Sequence, residues 1–130
     1  MTEPIVETFP LPPGDPLYGS PTAPELLVAV EHFLRHELGD LPAFTAFHAR
    51  VAANVVAMVT RQLVAGGAPH DQMVASYDRL GARSEEELAA AVRDLSVEAT
   101  AAVLRPVIEP VVRARLAVAN PAYLTANPID

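Results

Sequence analysis

The sequence contains no cysteine, and this absence removes several kinds of chemistry at once. A disulfide framework, a thiol nucleophile and a cysteine-ligated metal cluster are all excluded. The lack of disulfides fits a reducing compartment, so we expect a cytoplasmic protein. The opening segment, MTEPIVETFPLPPG, also lacks the basic stretch and the apolar core of a secretory signal.

Lysine is absent as well, so all nine basic residues are arginine. This bias is typical of a GC-rich bacterial genome, and it means that any bound carboxylate or phosphate meets a forked, permanently charged guanidinium. The net charge of −7 disfavours nucleic acid, which normally requires a basic face. The longest apolar run lies between Arg50 and Arg61 and is interrupted by Asn54, whereas a membrane span needs roughly 20 apolar residues. We expect neither nucleic acid nor membrane as a partner.

Proline is abundant and unevenly placed, with six of the thirteen prolines in residues 1–21. Because proline removes backbone donors and is not tolerated inside a helix, residues 1–21 are predicted to form an extended arm. Residues 22–130 are predicted to form one all-α domain, a bundle of about five helices. Part of the arm is expected to lie along the protein or along a partner, because it carries these apolar residues: Ile5, Val6, Phe9, Leu11, Leu17 and Tyr18.

Capping signals and glycines set the boundaries of the first two helices. Thr22 followed by Glu25 forms the pattern of a capping box, which predicts the start of the first helix. Gly39 is predicted to end it. The second helix is predicted to begin after Asp40 and to run as far as Gly66, where two consecutive glycines stop it.

The second half of the chain predicts three further helices. A short third helix precedes a second capping box that begins at Ser84, and the fourth helix is predicted to continue from there to Val103. Pro106 and Pro110 are predicted to break or kink the chain. A fifth helix follows them and ends at Asn120, because the residue before a proline disfavours the helical conformation.

His48 is a candidate site residue in the middle of the second helix. At about 100° per residue, it shares a helix face with Val51, Val55 and Val59, which we expect to be the buried apolar face. One interpretation is a buried neutral imidazole bonded to a carbonyl or hydroxyl group. The other is a general base or metal ligand. No carboxylate is spaced beside His48, which favours the first interpretation.

Arg50, Asn54 and Arg61 form a polar stripe on a neighbouring face of the same helix, within about 40° of one another. In one interpretation Arg50 is at least half buried and pairs with a carboxylate such as Glu31 or Glu98, while Asn54 bridges backbone groups. In the other, the stripe is a pocket for phosphate or carboxylate. Both interpretations stay open at this point.

The remaining polar clusters point to no catalytic site. His32 and His36 have the i,i+4 spacing of a metal pair, but they lie opposite the leucines of the first helix and are predicted to face solvent. The acidic run that starts at Glu85 fits the first turn of a helix, where it stabilises the helix dipole. Neither a glycine-rich phosphate loop nor a nucleophile motif is present. We predict no catalytic residue, no metal and no cofactor.

Three segments together resemble a bacterial family of unknown function, number 6285. They are PTAPELLVAVEHFLRHEL, FHARVAANVVAMVTRQL and RARLAVANPAYL, and the resemblance covers about residues 21–65 and 111–124. Family members are small helical proteins without an assigned activity. Their genes often stand beside those of aminoglycoside-phosphotransferase-like kinases and acyl-CoA dehydrogenases, which implies an accessory role in acyl-CoA-linked catabolism. The resemblance adds three polar candidates near the C-terminus: Arg115, Asn120 and Tyr123.

Two functional hypotheses follow. The first is a non-catalytic accessory or regulatory protein that forms a homo-oligomer, a symmetric dimer with the arm crossing the interface, or binds a phosphotransferase-like kinase or an acyl-CoA dehydrogenase. The high apolar content and the missing catalytic residues support it. The second is a small-molecule binder or enzyme that holds a phosphate or carboxylate with Arg50, Asn54 and Arg61. The candidate ligand-binding residues are His48, Arg50, Asn54, Arg61, Arg115, Asn120 and Tyr123.

Overall fold

The computed structural model describes residues 17–128, and over this range it contains helices and no strand. The six helices are α1 (Ala23–His36), α2 (Ala43–Ala65), α3 (Ala68–Asp78), α4 (Glu85–Arg93), α5 (Ala101–Ala119) and α6 (Pro121–Ala126). The predicted all-α class is confirmed. The chain divides into two compact units, Met1–Val64 and Ala65–Asp130. The predicted arm lies mostly outside the described residues.

The two predicted caps are present at the starts of α1 and α4. The backbone N–H of Glu25 donates to the Thr22 hydroxyl at 3.3 Å, and the N–H of Thr22 donates to the Glu25 carboxylate at 2.7 Å. This completes a capping box and satisfies two donors that lack helical partners. At α4, the N–H of Glu87 donates to Ser84 Oγ at 3.1 Å. The Glu87 carboxylate accepts from the N–H of Arg83 instead, so the second box is only half formed.

Helix α2 has nearly its predicted length, but the predicted buried face is wrong. Its buried residues are Ala53, Ala57 and Thr60. Val51 and Val55, expected in the core, are 42% and 54% exposed. The cause is that α2 has two apolar sides, one of small residues and one of large residues. The side of small residues is covered, because short side chains let neighbouring atoms come close to the helix.

The second unit has a core of its own, built from α3, α4 and α5. Helix α3 packs against α5, and α6 contacts the end of α5. Met73, Leu80 and Val92 pack around this core at half-buried positions. The buried core residues are Tyr77, Ala82, Leu88, Val107 and Val111.

Helix α4 is shorter than predicted, since it ends at Arg93 and not at Val103. The Asp94 carboxylate accepts from the N–H of Ser96 at 3.0 Å, and the Ser96 hydroxyl donates to the Ala91 carbonyl. Side chains of this type offer the backbone an alternative to helical hydrogen bonds, which is why the helix stops here. Leu95, between them, has a φ of +61° and is 82% exposed.

Helix α5 contains both prolines that were predicted to break or kink the chain, so the predicted start of the fifth helix after them is wrong. It begins at Ala101 and includes Pro106 and Pro110. Four residues apart, the two prolines share one side of the helix, and both are exposed. The carbonyls that lose their helical donors are therefore on the exposed side of α5. The predicted end at Asn120 is confirmed.

Candidate functional site

A polar cluster in the first unit links α1 to α2 through Arg35. Arg35 Nε donates to Glu31 Oε1 at 2.9 Å, one helical turn away. Its Nη2 atom donates to Asn54 Oδ1 at 3.0 Å. The ion pair is only partly exposed, with 29% and 27% of the two side chains accessible. Asn54 therefore holds an arginine side chain, where the sequence suggested that it bridges backbone groups.

Arg50 is exposed, and it makes no ion pair with a carboxylate among residues 17–128. The predicted pairing with Glu31 is wrong, because Arg35 occupies that carboxylate from the adjacent turn of its own helix. Arg50 instead lines an open cleft of about 240 Å³ between the end of α1 and the start of α2. Leu34 and Leu38 form apolar parts of its wall. Arg61, farther along the same flank of α2, is half-buried.

His48 lies on the exposed side of α2, which corrects its predicted position on the buried face. Its ring makes edge contacts with two phenylalanines, at centroid distances of 4.4 Å to Phe44 and 5.5 Å to Phe47. No carboxylate of the described residues orients it, and a general base normally has such a partner. The arrangement makes His48 part of an aromatic surface.

Arg115, in the second unit, forms a bidentate ion pair with Glu85. Its two terminal nitrogens donate to the two carboxylate oxygens at 3.2 Å and 2.6 Å. The hydrogen bonds from Arg115 hold the pKa of Glu85 below its usual value and, reciprocally, raise the pKa of Arg115. Burial raises the pKa of the nearby Tyr77, and the negative charge of Glu85 adds to this effect. The positive charge of Arg115 is thus already matched.

Asn120 and Tyr123 have local roles at α6. The backbone N–H of Tyr123 donates to Asn120 Oδ1 at 3.3 Å, so Asn120 caps the helix. The carbonyl of Tyr123 accepts from the side chain of Asn127 at 3.0 Å, which closes the other end. The Tyr123 side chain is 50% exposed. These contacts place both residues at helix ends.

Histidine pairing in α1 gives no metal centre. The rings of His32 and His36 lie 4.9 Å apart, and His32 Nε2 is 3.4 Å from Glu37 Oε1. Both histidines are exposed, as predicted. Within residues 17–128, no group of three potential metal ligands is close enough to hold an ion. By length and composition alone, α2 is long and apolar enough to cross a membrane, and 17% of its most apolar window is buried; one such helix is weak evidence for a membrane span.

Arg35, Glu85 and Tyr77 were missed as members of polar clusters. The i,i+4 spacing of Glu31 and Arg35 is a sequence signal that identifies the first pair. The contact between Glu85 and Arg115 spans thirty positions, and no local pattern indicates it. Tyr77 was recognised only as an apolar residue of the third helix.

The family of domains of unknown function DUF6285 matches residues 39–123. This chain belongs to that family. The DUF6285 match is continuous from the loop before α2 into α6, so it includes residues 66–110, which the resemblance had left out. Helix α1 precedes it. No curated protein and no solved structure matches the chain.

Proposed function

We propose that this chain is a non-catalytic accessory or regulatory protein that works by binding another protein through its first unit. The observation that carries the proposal is the exposure of large apolar side chains on α1 and α2. On α1, Leu26, Val30 and Phe33 are 53%, 47% and 48% exposed and recur at helical spacing. On α2, Phe44 is 77% exposed and Phe47 is 54% exposed.

Exposed apolar surface of this extent is typical of an interaction site. Apolar patches larger than a few hundred Å² on a monomer mark surfaces that another molecule covers. Covering them is favourable by about 25 cal/mol for each Å² removed from water. Phenylalanine, present here at Phe33, Phe44 and Phe47, is among the residues enriched at protein interfaces. The physical properties of this surface therefore favour a protein partner.

The family resemblance proposes which partners to test first. A phosphotransferase-like kinase and an acyl-CoA dehydrogenase are the two candidates, because these are the enzyme classes that the resemblance associates with the family. The expected location is the cytoplasm, where such enzymes act. In this proposal the chain regulates its partner by binding to it and catalyses no reaction itself.

Site-specific photo-crosslinking in the native host tests this proposal. A benzoylphenylalanine in place of Phe33 is expected to form a covalent adduct with one distinct protein, identified by mass spectrometry. The matched control places the same group at Ala117, an exposed position of α5. The proposal is contradicted when Phe33 gives no adduct beyond the Ala117 background, even if a second copy of this chain is captured elsewhere.

A second candidate function is the binding of a small anion at the cleft beside Arg50. What favours it is the guanidinium of Arg50, which lines the cleft without a carboxylate partner in the described part of the chain. Titration with inorganic phosphate in a calorimeter tests it. Arg50→Gln is expected to weaken binding at least tenfold, and Arg93→Gln, an exposed arginine of α4, is expected to leave it unchanged. No heat of binding to the wild-type protein rejects this candidate.

A further inference from the structure

The exposed side of α2 carries a regular seven-residue repeat. Counting along the helix, successive residues of this side are separated by four, three, four, three and four positions. This is the spacing with which two helices pack along a shared seam. Every member is solvent-exposed. The seam consists of Phe44, His48, Val51, Val55, Met58 and Gln62.

The seam is the less covered side of α2 within the described chain. The buried residues of α2, Ala53, Ala57 and Thr60, lie on the opposite side of the helix. Two further exposed apolar residues, Phe47 and Val59, flank the seam at 54% and 42% exposure. The apolar strip therefore runs along one complete side of α2, over about 27 Å from its first residue to its last.

The charge on α2 suits contact with a second copy of the same chain. The protein carries a net charge of −7, so most of its surface repels a second copy. Helix α2 contains no acidic residue, and its seam contains no arginine. Interface centres are depleted of charged residues and enriched in aromatic residues and methionine, as this seam is.

The exposed apolar area reaches the lower limit for a specific interface between two copies. A fully exposed aromatic side chain presents about 150–250 Å², and a valine or methionine presents less. With their exposed fractions, the apolar residues of the seam and its flanks therefore present on the order of 500 Å² per copy. Two copies then cover about 1,000 Å² of apolar surface, which reaches the lower limit for a specific protein interface. The polar seam residues His48 and Gln62 add to this area.

We infer that a second copy of this chain occupies the seam, with the two α2 helices antiparallel and the two-fold axis level with Ala53. This deepens the proposed function, on which it rests, by naming what covers the α2 part of the apolar surface and leaving the α1 part for another protein. In this register Val51 faces Val55 of the second copy. His48 faces its Met58, and Phe44 faces its Gln62. Every seam residue is then covered.

The antiparallel direction follows from the order of side chains along the seam. A parallel pair brings His48 against its own copy and stacks the two bulkiest residues, Phe44, at one end. An antiparallel pair places each large residue opposite a smaller or more flexible one, which packs more evenly. It also opposes the two helix dipoles, where a parallel pair aligns them. Shifting the antiparallel pair by one seam step leaves Phe44 uncovered in one direction and Gln62 uncovered in the other.

Sedimentation equilibrium of the full chain tests the dimer. We expect a species of twice 13.8 kDa at tens of micromolar. Val55→Glu, at the centre of the seam, is expected to raise the dimer dissociation constant at least a hundredfold. The matched control is Val74→Glu, at a similarly exposed valine of α3, which is expected to leave it unchanged. Circular dichroism verifies that both variants keep the helical content of the parent.

Single-cysteine crosslinking tests the direction, and the natural chain has no cysteine to interfere. Ala52→Cys lies beside the proposed two-fold axis and is expected to link to its own copy with a short bismaleimide. Phe44→Cys is expected not to link, because antiparallel packing holds it about 27 Å from its counterpart. Crosslinking of Phe44→Cys and not of Ala52→Cys overturns the antiparallel pair.

Two further outcomes overturn the inference as a whole. One is a monomeric wild-type chain at tens of micromolar. The other is flotation of the wild-type chain with phosphatidylcholine vesicles, abolished by Val55→Glu, which assigns the seam to a lipid surface. If the chain is monomeric while Phe33 still crosslinks to a distinct protein, the dimer fails and the proposed function stands. If the chain is a dimer while Phe33 gives no specific crosslink, the proposed function fails and the dimer stands.

Discussion

The two compact units bury different kinds of side chain, although both are built from apolar helices. In the second unit, Tyr77, Leu88 and Val107 are at most 5% exposed, and three helices share them. In the described part of the first unit, the buried residues of α2 are two alanines and a threonine, and the larger residues face outward. The second unit therefore contains its own core of large side chains. Within residues 17–64, the first buries only Pro24 and the small residues of α2, and its large side chains are at most half-buried.

This difference has an energetic meaning. Burial of one valine, leucine or phenylalanine side chain contributes about 1.5–3 kcal/mol, whereas alanine contributes only a fraction of that. The core around Leu88 thus stabilises the second unit from within. Burial of the exposed phenylalanines and valines of α1 and α2 would contribute a comparable free energy per side chain, but only when a partner covers them. Four predictions test this contrast, in order of decreasing effect.

The largest effect is expected from truncating the same residue type in each unit. Leu88→Ala removes a side chain that is 5% exposed and is expected to lower the free energy of unfolding by about 2–5 kcal/mol, because it leaves a cavity. Leu26→Ala, at a leucine that is 53% exposed, is expected to cost less than about 1 kcal/mol. Urea denaturation measures both. Equal costs would show that the first unit has a core like that of the second.

The next prediction concerns the small residues on the inner side of α2. Ala53 is fully buried, so Ala53→Leu is expected to overpack this side and to lower stability by about 1–3 kcal/mol. Ala29→Leu adds the same atoms at an exposed position of α1 and is expected to change stability by less than about 0.5 kcal/mol. Thermal unfolding at one protein concentration compares them. A neutral Ala53→Leu means that this side of α2 is not tightly covered.

The third prediction is that the two units respond alike where the interaction is local. Thr22→Ala and Ser84→Ala each remove a hydroxyl that caps a helix, and each is expected to cost about 0.5–2 kcal/mol. Capping depends on the first turn of the helix and not on a core. Chemical denaturation measures both variants, with Thr45→Ala, at an exposed position in α2, as the control. A cost for Ser84→Ala alone would indicate that α1 adds nothing to stability.

The smallest effect is expected at the exposed ion pair of the second unit. Because Arg115 lowers the pKa of Glu85 in the folded protein, the pair stabilises the fold above the ordinary carboxyl pKa of 4.5. This contribution is lost as the pH falls through the lowered pKa. Glu85→Gln is therefore expected to flatten part of the decline in melting temperature below pH 4.5. Glu86→Gln, one position along, is the control. Identical pH profiles for wild type and Glu85→Gln would contradict the pairing.

Local signals in the sequence were sufficient for most of the fold. The capping box at Thr22, the glycines after α2 and the proline after Asn120 each act within one helical turn, and the structure confirms the boundaries they predict. The end of α4 was missed because Asp94 and Ser96 form a turn that helical spacing alone does not reveal. Pro106 and Pro110 were predicted to break or kink the chain, but a helix tolerates them where the freed carbonyls are exposed.

The candidate site was less predictable. The polar stripe on α2 follows from helical geometry, yet its partners do not. Arg35 forms an ion pair with Glu31 because the two residues are one helical turn apart. It also donates a hydrogen bond to Asn54, because α1 and α2 come close there. The match of Arg115 with Glu85 likewise joins two helices that are far apart in sequence. Such contacts depend on the arrangement of helices, which periodicity does not encode.

What the sequence by itself determined is the all-α class, the starts of α1 and α4, the ends of α2 and α5 and the absence of thiol chemistry, because these depend on composition or on residues within a few positions of one another. Only the tertiary structure decided which apolar side of α2 is covered. The alanines around Ala53 and the large residues around Val55 are equally regular along the helix. Tertiary packing covers the alanine side, where short side chains permit close approach, and so leaves Phe44 and Val55 exposed.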